Sequence, residues 1–509
     1  MSHLRKFVTF GPMLLLAIGV ALSFADPEQF LASVSGANAW ILRNFSDVFN
    51  WASFGFVLTI AGIWFSKLGT IKIGGAEAEP ILSKWNWFAI TLCTTIAIGI
   101  LFWATAEPLY HFYQPPTLSG IEENSPDAQR FAMSSLFMHW TITPYAIYSI
   151  PSLAFALAYY NLGKSYSLAG PISLVVGQRA ELHSRFIIDA VAVFALVAGL
   201  SATLGVGVLS ISSGIADAFG VEASSMIMAL VVVSIVGAFT VSSVSGLMNG
   251  IRILSDWNVR FFFLLCAVLV AVGPAGKMLA YGFQGIGDFV LEFLPRSVGE
   301  GATADQVWAN SWTTFYWANW MAWAPVTALF LGRIAKGYTV REFILFNLIL
   351  PSTFAVVWMS IFGASAIEMD KTSGLLWAAL QAEGPERVVY VFFSQLPGAA
   401  LWPFAFVLLS FVCFVTAADS NTEAVASICL KDEEHQPIAE EDKQKSIQYL
   451  KISWAVLIGA TAWIMVSYSG VDGVRMLSNL GGLPALFIIL FMNAALILMA
   501  TRKYHLLKK

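Results

Sequence analysis

The chain contains repeated runs of about 20 mainly apolar residues, each long enough to cross the roughly 30 Å hydrocarbon core of a bilayer as an α-helix. We count twelve such runs, centred near residues 17, 58, 97, 147, 200, 235, 267, 321, 352, 411, 460 and 490. Inside a bilayer every backbone amide and carbonyl must be satisfied within the spanning element, and a helix achieves this in a single segment. The sequence therefore predicts an all-α membrane protein with twelve transmembrane helices.

The charged residues agree with this interpretation and predict the orientation. They make up only 12% of the 509 residues, whereas soluble domains contain about 25%. If the amino terminus is cytoplasmic, three quarters of the 28 lysines and arginines fall in cytoplasmic segments, so both termini are expected inside. The first run, Phe7–Ala25, lacks a small-residue cleavage site before Asp26 and is interpreted as a retained helix. Neither the net charge of -4 nor its spread indicates a nucleic-acid partner.

The eighth run contains an unusual aromatic segment, SWTTFYWANWMAW, at residues 311–323. At 100° per residue, one arc of about 100° holds four of its six large aromatic residues and its one amide: Trp312, Tyr316, Asn319, Trp320 and Trp323. Ala318 and Ala322 lie opposite, and small residues allow a neighbouring helix to approach closely. We therefore expect the alanine side to pack and the aromatic side to line a cavity. Simple core filling is the alternative, but unpaired amide and indole N–H groups in hydrocarbon would cost several kcal/mol each.

A cavity lined by aromatic faces suits permanent cations such as quaternary ammonium. The predicted membrane centre holds no lysine or arginine, and its few acids, such as Glu107 and Asp419, are placed near helix ends. A cationic guest is therefore expected to have no buried counter-ion and to be held by ring faces alone, each contributing up to about 2 kcal/mol. Glu107, next to Pro108, is interpreted as fixing helix geometry, and His139 as a structural hydrogen-bond donor.

Four segments resemble the betaine/choline/carnitine transporter family and occur in the family's order: ILFWATAEPLYHF, MHWTITPYAIYSIPSLAFALAYY, FYWANWMAWAPVTALFLGRIAKGYTVREF and FVTAADSNT. The resemblance implies a leucine-transporter type of fold, with two five-helix inverted repeats preceded by two extra helices. The expected divisions are residues 1–85 for the extra helices, 86–283 and 306–509 for the repeats, and 284–305 for an outer connecting segment. The third and eighth spans would be the broken helices beside the site. A homotrimer in the bacterial inner membrane is also implied.

Carried over residue by residue, the family's substrate site falls on positions of the fourth and eighth spans: Trp140, Tyr145, Tyr148, Tyr316, Asn319, Trp320 and Trp323. Tyr145 stands where the family frequently has tryptophan. Asn319 replaces the first member of a common Trp-Trp pair. Two roles are open for the Asn319 amide: a hydrogen bond to the polar end of a substrate, or one to a neighbouring helix.

Sodium coupling is implied less completely, because the family's Thr-Ser-Ala-Asp-Ser motif begins here with Thr416 and Ala417 and has lost one hydroxyl. The glycine-rich break of the third span is reduced to TIAIG at residues 95–99. The candidate sodium ligands are Thr95, Ile96, Cys413, Thr416 and Ala417. Sodium symport is the favoured mode, and ion-independent exchange is the alternative. No other cofactor or metal is expected.

These features predict a secondary transporter, not an enzyme, that takes up an onium solute of the betaine, choline, carnitine or dimethylsulfoniopropionate type by alternating access. A membrane enzyme would need a cluster of His, Cys, Asp and Glu side chains on one midplane face, and we expect none. An amino-acid symporter of the same fold would have a site of small polar residues instead of aromatic rings. A sensor would need a sizeable soluble domain, for which the polar stretches are too short.

Overall fold

The computed structural model describes residues 4–96, 99–244, 247–300, 304–430, 440–502 and 504–508. The regular elements of this part are helical, with two isolated β-bridges, Leu4–Leu430 and Lys72–Thr339. The α-helices are α1 (Lys6–Ala25), α2 (Pro27–Phe65), α3 (Lys84–Ile96), α4 (Gly99–Tyr113), α5 (Pro126–Trp140), α6 (Ile142–Ala156), α7 (Ala169–Val176), α8 (Gln178–Phe219), α9 (Ser225–Val244), α10 (Leu247–Val272), α11 (Ala275–Leu291), α12 (Phe293–Ser297), α13 (Gln306–Ala309), α14 (Phe315–Ile334), α15 (Val340–Ile344), α16 (Leu350–Ser373), α17 (Leu375–Glu383), α18 (Pro385–Ser394), α19 (Trp402–Ile428) and α20 (Glu440–Thr501).

Among these residues, eight helices are long and apolar enough to cross a membrane, and the bent pair α3 and α4 gives a ninth. Three further predicted spans fall on helices with particular features. The apolar part of α9 is short, α14 is rich in tryptophan, and α20 runs through the two last predicted spans with a non-helical residue at Gly470 (φ 52°, ψ −133°). Eleven of the twelve predicted centres are therefore helical, and the twelfth, residue 97, lies outside the described residues. The exact number of membrane crossings stays a prediction.

The spans differ in how deeply they are buried within the protein. In the span Pro126–Asn161, which contains α5 and α6, 94% of the most apolar window is buried, and in α8 the corresponding share is 89%. In α1 it is only 28%. Apolar residues that the protein does not cover face lipid in a membrane protein. The first helix therefore lies at the periphery, and α5, α6 and α8 form the centre together with α14.

The predicted break in the third span is present. Helices α3 and α4 meet at an angle of 56°, with residues 97 and 98 between them outside the described part. Gly99 opens α4 directly against an indole, since a Cβ built there would lie 3.0 Å from Trp140. Glycine is therefore required at this position by close packing.

The eighth span is not broken in the way that the resemblance implied. Helix α14 is continuous over 20 residues, and the irregularity lies before it, in a π-helical turn at Asn310–Thr314. The physical reason is visible in the sequence, because residues 310–331 contain no glycine to lower the cost of unwinding.

The small-residue side of α14 packs as predicted. A Cβ on Gly482 of α20 would lie 2.4 Å from the carbonyl oxygen of Ala318, and a Cβ on Gly199 of α8 would lie 3.1 Å from the Ala322 Cβ. Glycine facing alanine allows the two backbones to come close. Helix α14 is thus held between α8 and α20, and Tyr316 and Trp320 of its aromatic arc face α4, α5 and α6.

Candidate functional site

Five buried aromatic residues surround one point between α5, α6 and α14. Trp320 of α14 is at the centre, with the Trp140 and Tyr148 rings each 5.5 Å away edge to face and the Tyr145 ring 6.3 Å away. Tyr316, one turn earlier on α14, lies 5.3 Å from Trp140. Every one of these side chains is at most 4% exposed. We call this set, Trp140, Tyr145, Tyr148, Tyr316 and Trp320, the aromatic cage.

A kink in the fourth span brings the cage residues together. Trp140 ends α5, Thr141 has non-helical dihedral angles (φ −117°, ψ −116°), and α6 begins at Ile142. Pro144 is tolerated in the first turn of α6, where its missing N–H would have no partner in any case. Because of this kink, Trp140 faces Trp320 together with Tyr145 and Tyr148, which lie on consecutive turns of α6.

Two predicted site residues point away from the cage. The Trp323 indole N–H donates to the Thr203 hydroxyl of α8 at 3.1 Å, and its ring fills the space beside Gly199. The Asn319 Oδ1 accepts a hydrogen bond from the Ser478 hydroxyl of α20 at 2.9 Å. For this oxygen, the structure shows the bond to a neighbouring helix that the sequence left as one of two alternatives.

A buried carboxylate lies beside the cage, where the sequence predicted ring faces alone. Glu107 of α4 is fully buried, and its Oε2 accepts from the Trp140 indole at 2.8 Å and from the Tyr316 hydroxyl. Its Oε1 lies 2.7 Å from His139 Nδ1 and 3.3 Å from His111 Nε2. Glu107 follows the predicted break on α4, and its carboxylate lies behind two cage rings.

The same contacts correct the expectation that no His and acidic side chains cluster in the membrane. The ligand atoms of Glu107, His111 and His139 all lie within 4.8 Å of one another. Two ligands of a tetrahedral zinc, with bonds of about 2.1 Å, lie about 3.4 Å apart. The 2.7 Å between His139 Nδ1 and Glu107 Oε1 is instead a hydrogen-bond distance, and His139 Nε2 is bonded to the Thr313 hydroxyl at 3.1 Å. The arrangement is a hydrogen-bonded cluster.

Sequence reasoning missed Glu107 and His111 as functional residues, although a signal was present. An acid inside an apolar helix is a functional candidate by default, and Glu107 and His111 are four residues apart, on one face of α4. The remaining aromatic residue of the predicted arc, Trp312, lies beside His111 with ring centroids 4.6 Å apart. The Arg475 guanidinium lies over the Trp312 ring at 5.2 Å. Trp312 therefore belongs to a layer next to the cage.

The candidate sodium ligands lie on two helices that pack together, α3 and α19. The Thr95 hydroxyl donates to the Thr91 carbonyl at 2.8 Å. The Thr416 hydroxyl donates to the Val412 carbonyl at 2.8 Å, and Cys413 and Ala417 are buried beside it on α19. Ile96 ends α3, and its side chain lies outside the described part.

A buried ion pair lies one turn further along α19. Lys451 of α20 is 1% exposed, and its Nζ is 2.6 Å from Asp419 Oδ1 and 3.7 Å from Glu423. The sequence placed Asp419 near the end of its span and did not identify Lys451 as buried. Pairing is what makes burial of the ammonium tolerable, because an isolated charge in this environment would cost several kcal/mol.

Comparisons with known proteins agree on one family. The sequence model described as BCCT, betaine/carnitine/choline family transporter, matches residues 7–505. Glycine betaine transporter 1 of Vibrio parahaemolyticus is 32% identical over 94% of this chain and 90% of its own length. The high-affinity choline transport protein of Escherichia coli K12 is 28% identical over 97% of this chain and 73% of its own length. The ectoine/hydroxyectoine transporter of Virgibacillus pantothenticus is also 28% identical, over 97% and 94%.

The fold has a solved counterpart. The substrate-bound, outward-open structure of a Na⁺-coupled sialic acid symporter, a transporter of the leucine-transporter fold, superposes with a TM-score of 0.52. The match covers 89% of this chain and 85% of the symporter at 12% identity, which makes it evidence on the fold alone.

Proposed function

Because this chain belongs to the betaine/carnitine/choline transporter family, a family of transporters and not of enzymes, we propose that it is a secondary transporter that carries a small onium solute through the aromatic cage. Glycine betaine and choline are the first candidates, since they are carried by the named relatives. Carnitine and sulfonium analogues carry the same type of methylated cation. Two five-helix repeats would move against each other around the cage. The protein would lie in the inner membrane of a bacterium with both termini in the cytoplasm. A homotrimer is the expected assembly.

The observation that carries the proposal is the cage itself. Aromatic rings attract a cation lying within about 6 Å of their centroids, and the attraction grows when water is excluded. The five cage rings are buried and come from three helices, α5, α6 and α14, that a conformational change could move apart. Since the ring centroids are now only 5.3 to 6.3 Å apart, a guest must separate the rings. Binding and opening of the site are therefore coupled.

Binding calorimetry on the detergent-solubilised protein tests this proposal. Glycine betaine, choline and tetramethylammonium are expected to bind, and the carbon isostere of choline, in which the quaternary nitrogen is replaced by carbon, is expected to bind much more weakly. Equal affinity for choline and its isostere would reject recognition by ring faces. Binding of amino acids in place of onium ions would favour the second candidate, an amino-acid symporter of the same fold.

Sodium is the proposed coupling ion, supported by the packing of α3 against α19. The Thr416 hydroxyl already donates to its own helix, and Ala417 supplies no hydroxyl, so the apparent sodium affinity is expected to be low. Ala417→Ser should therefore raise it several-fold, measured as uptake into proteoliposomes against an inward sodium gradient. Leu409→Ser, on the same helix outside the candidate ligands, is the control. Full uptake in potassium without sodium, accelerated by substrate inside the vesicles, would instead establish exchange.

Asn319 provides a separate prediction. Its Oδ1 is bonded to Ser478, so Asn319→Ala and Ser478→Ala are each expected to lower the free energy of unfolding by about 1 kcal/mol, with little further loss in the double variant. The affinities for a zwitterion and for tetramethylammonium should stay in the same ratio. Selective loss of zwitterion affinity in Asn319→Ala alone would show that the amide contacts the substrate.

A further inference from the structure

In the described part of the chain, Glu107 contacts more side chains of the cage and its surroundings than any other charged residue. Its two carboxylate oxygens receive hydrogen bonds from Trp140 and Tyr316 of the cage and contact the imidazoles of His111 and His139. The cage is linked to the same group a second time, because the Trp320 indole donates to the His139 carbonyl at 3.2 Å. Three of the five cage rings are thus tied to this one cluster.

The hydrogen-bond donors around Glu107 fit an ionised carboxylate. The Trp140 indole N–H can only donate, so Glu107 Oε2 must accept from it. A neutral His139 that carries its proton on Nδ1 donates to Oε1, and its Nε2 then accepts from the Thr313 hydroxyl. One carboxylate can accept from four donors, which matches the four partners observed. This assignment satisfies all these contacts and gives the cluster one negative charge.

Other charges near the cluster do not neutralise this carboxylate directly. The nearby cations are Arg296 of α12 and Arg475 of α20, which lie over the Phe131 and Trp312 rings that contact His111. Arg296 donates to the Ser134 and Ser135 hydroxyls and lies 3.7 Å from Glu292, and Arg475 pairs with Asp472 at 3.2 Å. Both arginines therefore have acidic partners of their own.

We propose that Glu107 is the counter-ion of the transported cation and acts through the Trp140 and Tyr316 rings that donate hydrogen bonds to it. The proposal rests on the function proposed above and deepens it, because it names the group that sets the preference for positive charge. Hydrogen bonds from the indole N–H and the phenol O–H to an anion push electron density into both rings. Each ring face then attracts a cation more strongly than an unpolarised ring would.

The position of the charge also suits a carrier. The carboxylate is behind the rings, so it attracts the cationic guest electrostatically without forming a direct ion pair with it. A direct buried ion pair would be costly to separate, and a carrier must release its substrate on the other side of the membrane. A counter-ion held one ring away provides selectivity for charge and keeps release possible.

The test compares Glu107→Gln with wild type, using choline and glycine betaine and the carbon isostere of each as competitors of labelled onium binding. At about 7 Å and an effective dielectric constant of about 20, Coulomb's law predicts a loss of onium affinity of roughly tenfold to a hundredfold. The choline isostere is neutral, so its affinity should not change, and the glycine betaine isostere, which is an anion, should bind no more weakly than before. Equal losses for onium and isostere, or no loss for either, would overturn the proposal.

Glu368→Gln is the matched control, because the Glu368 carboxylate also accepts from a tyrosine hydroxyl, that of Tyr281 at 2.5 Å, but lies outside the cage. It should leave the ratio of onium to isostere affinity unchanged. If Glu107→Gln does not fold, Glu107→Asp is measured instead. Because Asp keeps the negative charge, the ratio of onium to isostere affinity should stay as in wild type, and loss of this ratio would reject the proposal. If the wild-type protein binds onium and isostere equally well, the cage itself is refuted. If the ratio of onium to isostere affinity is unchanged in Glu107→Gln, only the role of Glu107 as counter-ion is refuted.

Discussion

Trp320→Leu is expected to lower onium affinity by at least about 100-fold while the protein still reaches the membrane, since leucine stays apolar but has no ring quadrupole. Trp320 is the ring that contacts Trp140, Tyr145 and Tyr148 at once. Its loss removes one binding face and the support for three others. Calorimetric titration of the purified variant with choline and glycine betaine measures the change.

The matched control is Trp323→Leu, which makes the same replacement one turn further along α14. Trp323 donates to Thr203 and packs at Gly199 of α8, so its replacement should destabilise helix packing and leave onium affinity close to that of wild type. Unchanged affinity in Trp320→Leu would exclude the cage as the binding site. Loss of affinity in Trp323→Leu alone would place the site on the α8 side of α14.

The second large effect concerns stability. Asp419→Asn removes the closest partner of the buried Lys451 ammonium, and breaking a buried pair typically costs about 3–5 kcal/mol. We expect a loss of this size in the free energy of unfolding, measured by SDS titration of the solubilised protein. Glu423, 3.7 Å from the same ammonium, would reduce the loss toward the lower end of that range.

Asp472→Asn is the control for this prediction, because Asp472 pairs with Arg475 in a 67% exposed position. Exposed pairs contribute about 0–1 kcal/mol, so the change should be small. The double variant Asp419→Leu/Lys451→Met should recover much of the stability lost in Asp419→Asn, since it leaves no unpaired charge. If Asp419→Asn and Asp472→Asn are equally mild, the ion pair does not stabilise the contact between α19 and α20.

The sequence was most informative for features that follow from a regular pattern of apolar or small residues in a bilayer. Apolar runs predicted the helices because a bilayer allows few other spanning elements. The positions of Ala318 and Ala322 predicted the packing side of α14, and the glycines that face them on α8 and α20 confirm it. The grouping of Trp140, Tyr145, Tyr148 and Trp320 came from the resemblance, and the structure brings these four residues together.

The sequence was least informative where the neighbours on each side of a helix decide the role of a residue. A 100° arc holds both Trp320 and Trp323, but α6 lies on one side of α14 and α8 on the other, so the two indoles diverge. Glu107 contacts the cage from α4, which meets α3 at 56°. No local pattern gives the direction of such a bend, and for this reason the carboxylate was interpreted as fixing helix geometry.

Uptake into proteoliposomes tests the central claim most directly. Wild-type protein and Trp320→Leu would be reconstituted in parallel and offered labelled glycine betaine or choline, with an inward sodium gradient in one set and with unlabelled substrate inside the vesicles in another. The account predicts saturable uptake by wild type in at least one of these sets, inhibited by the other onium ion but not by its carbon isostere, and almost none by Trp320→Leu. Equal uptake by the two proteins, or none by wild type under either condition, would contradict it.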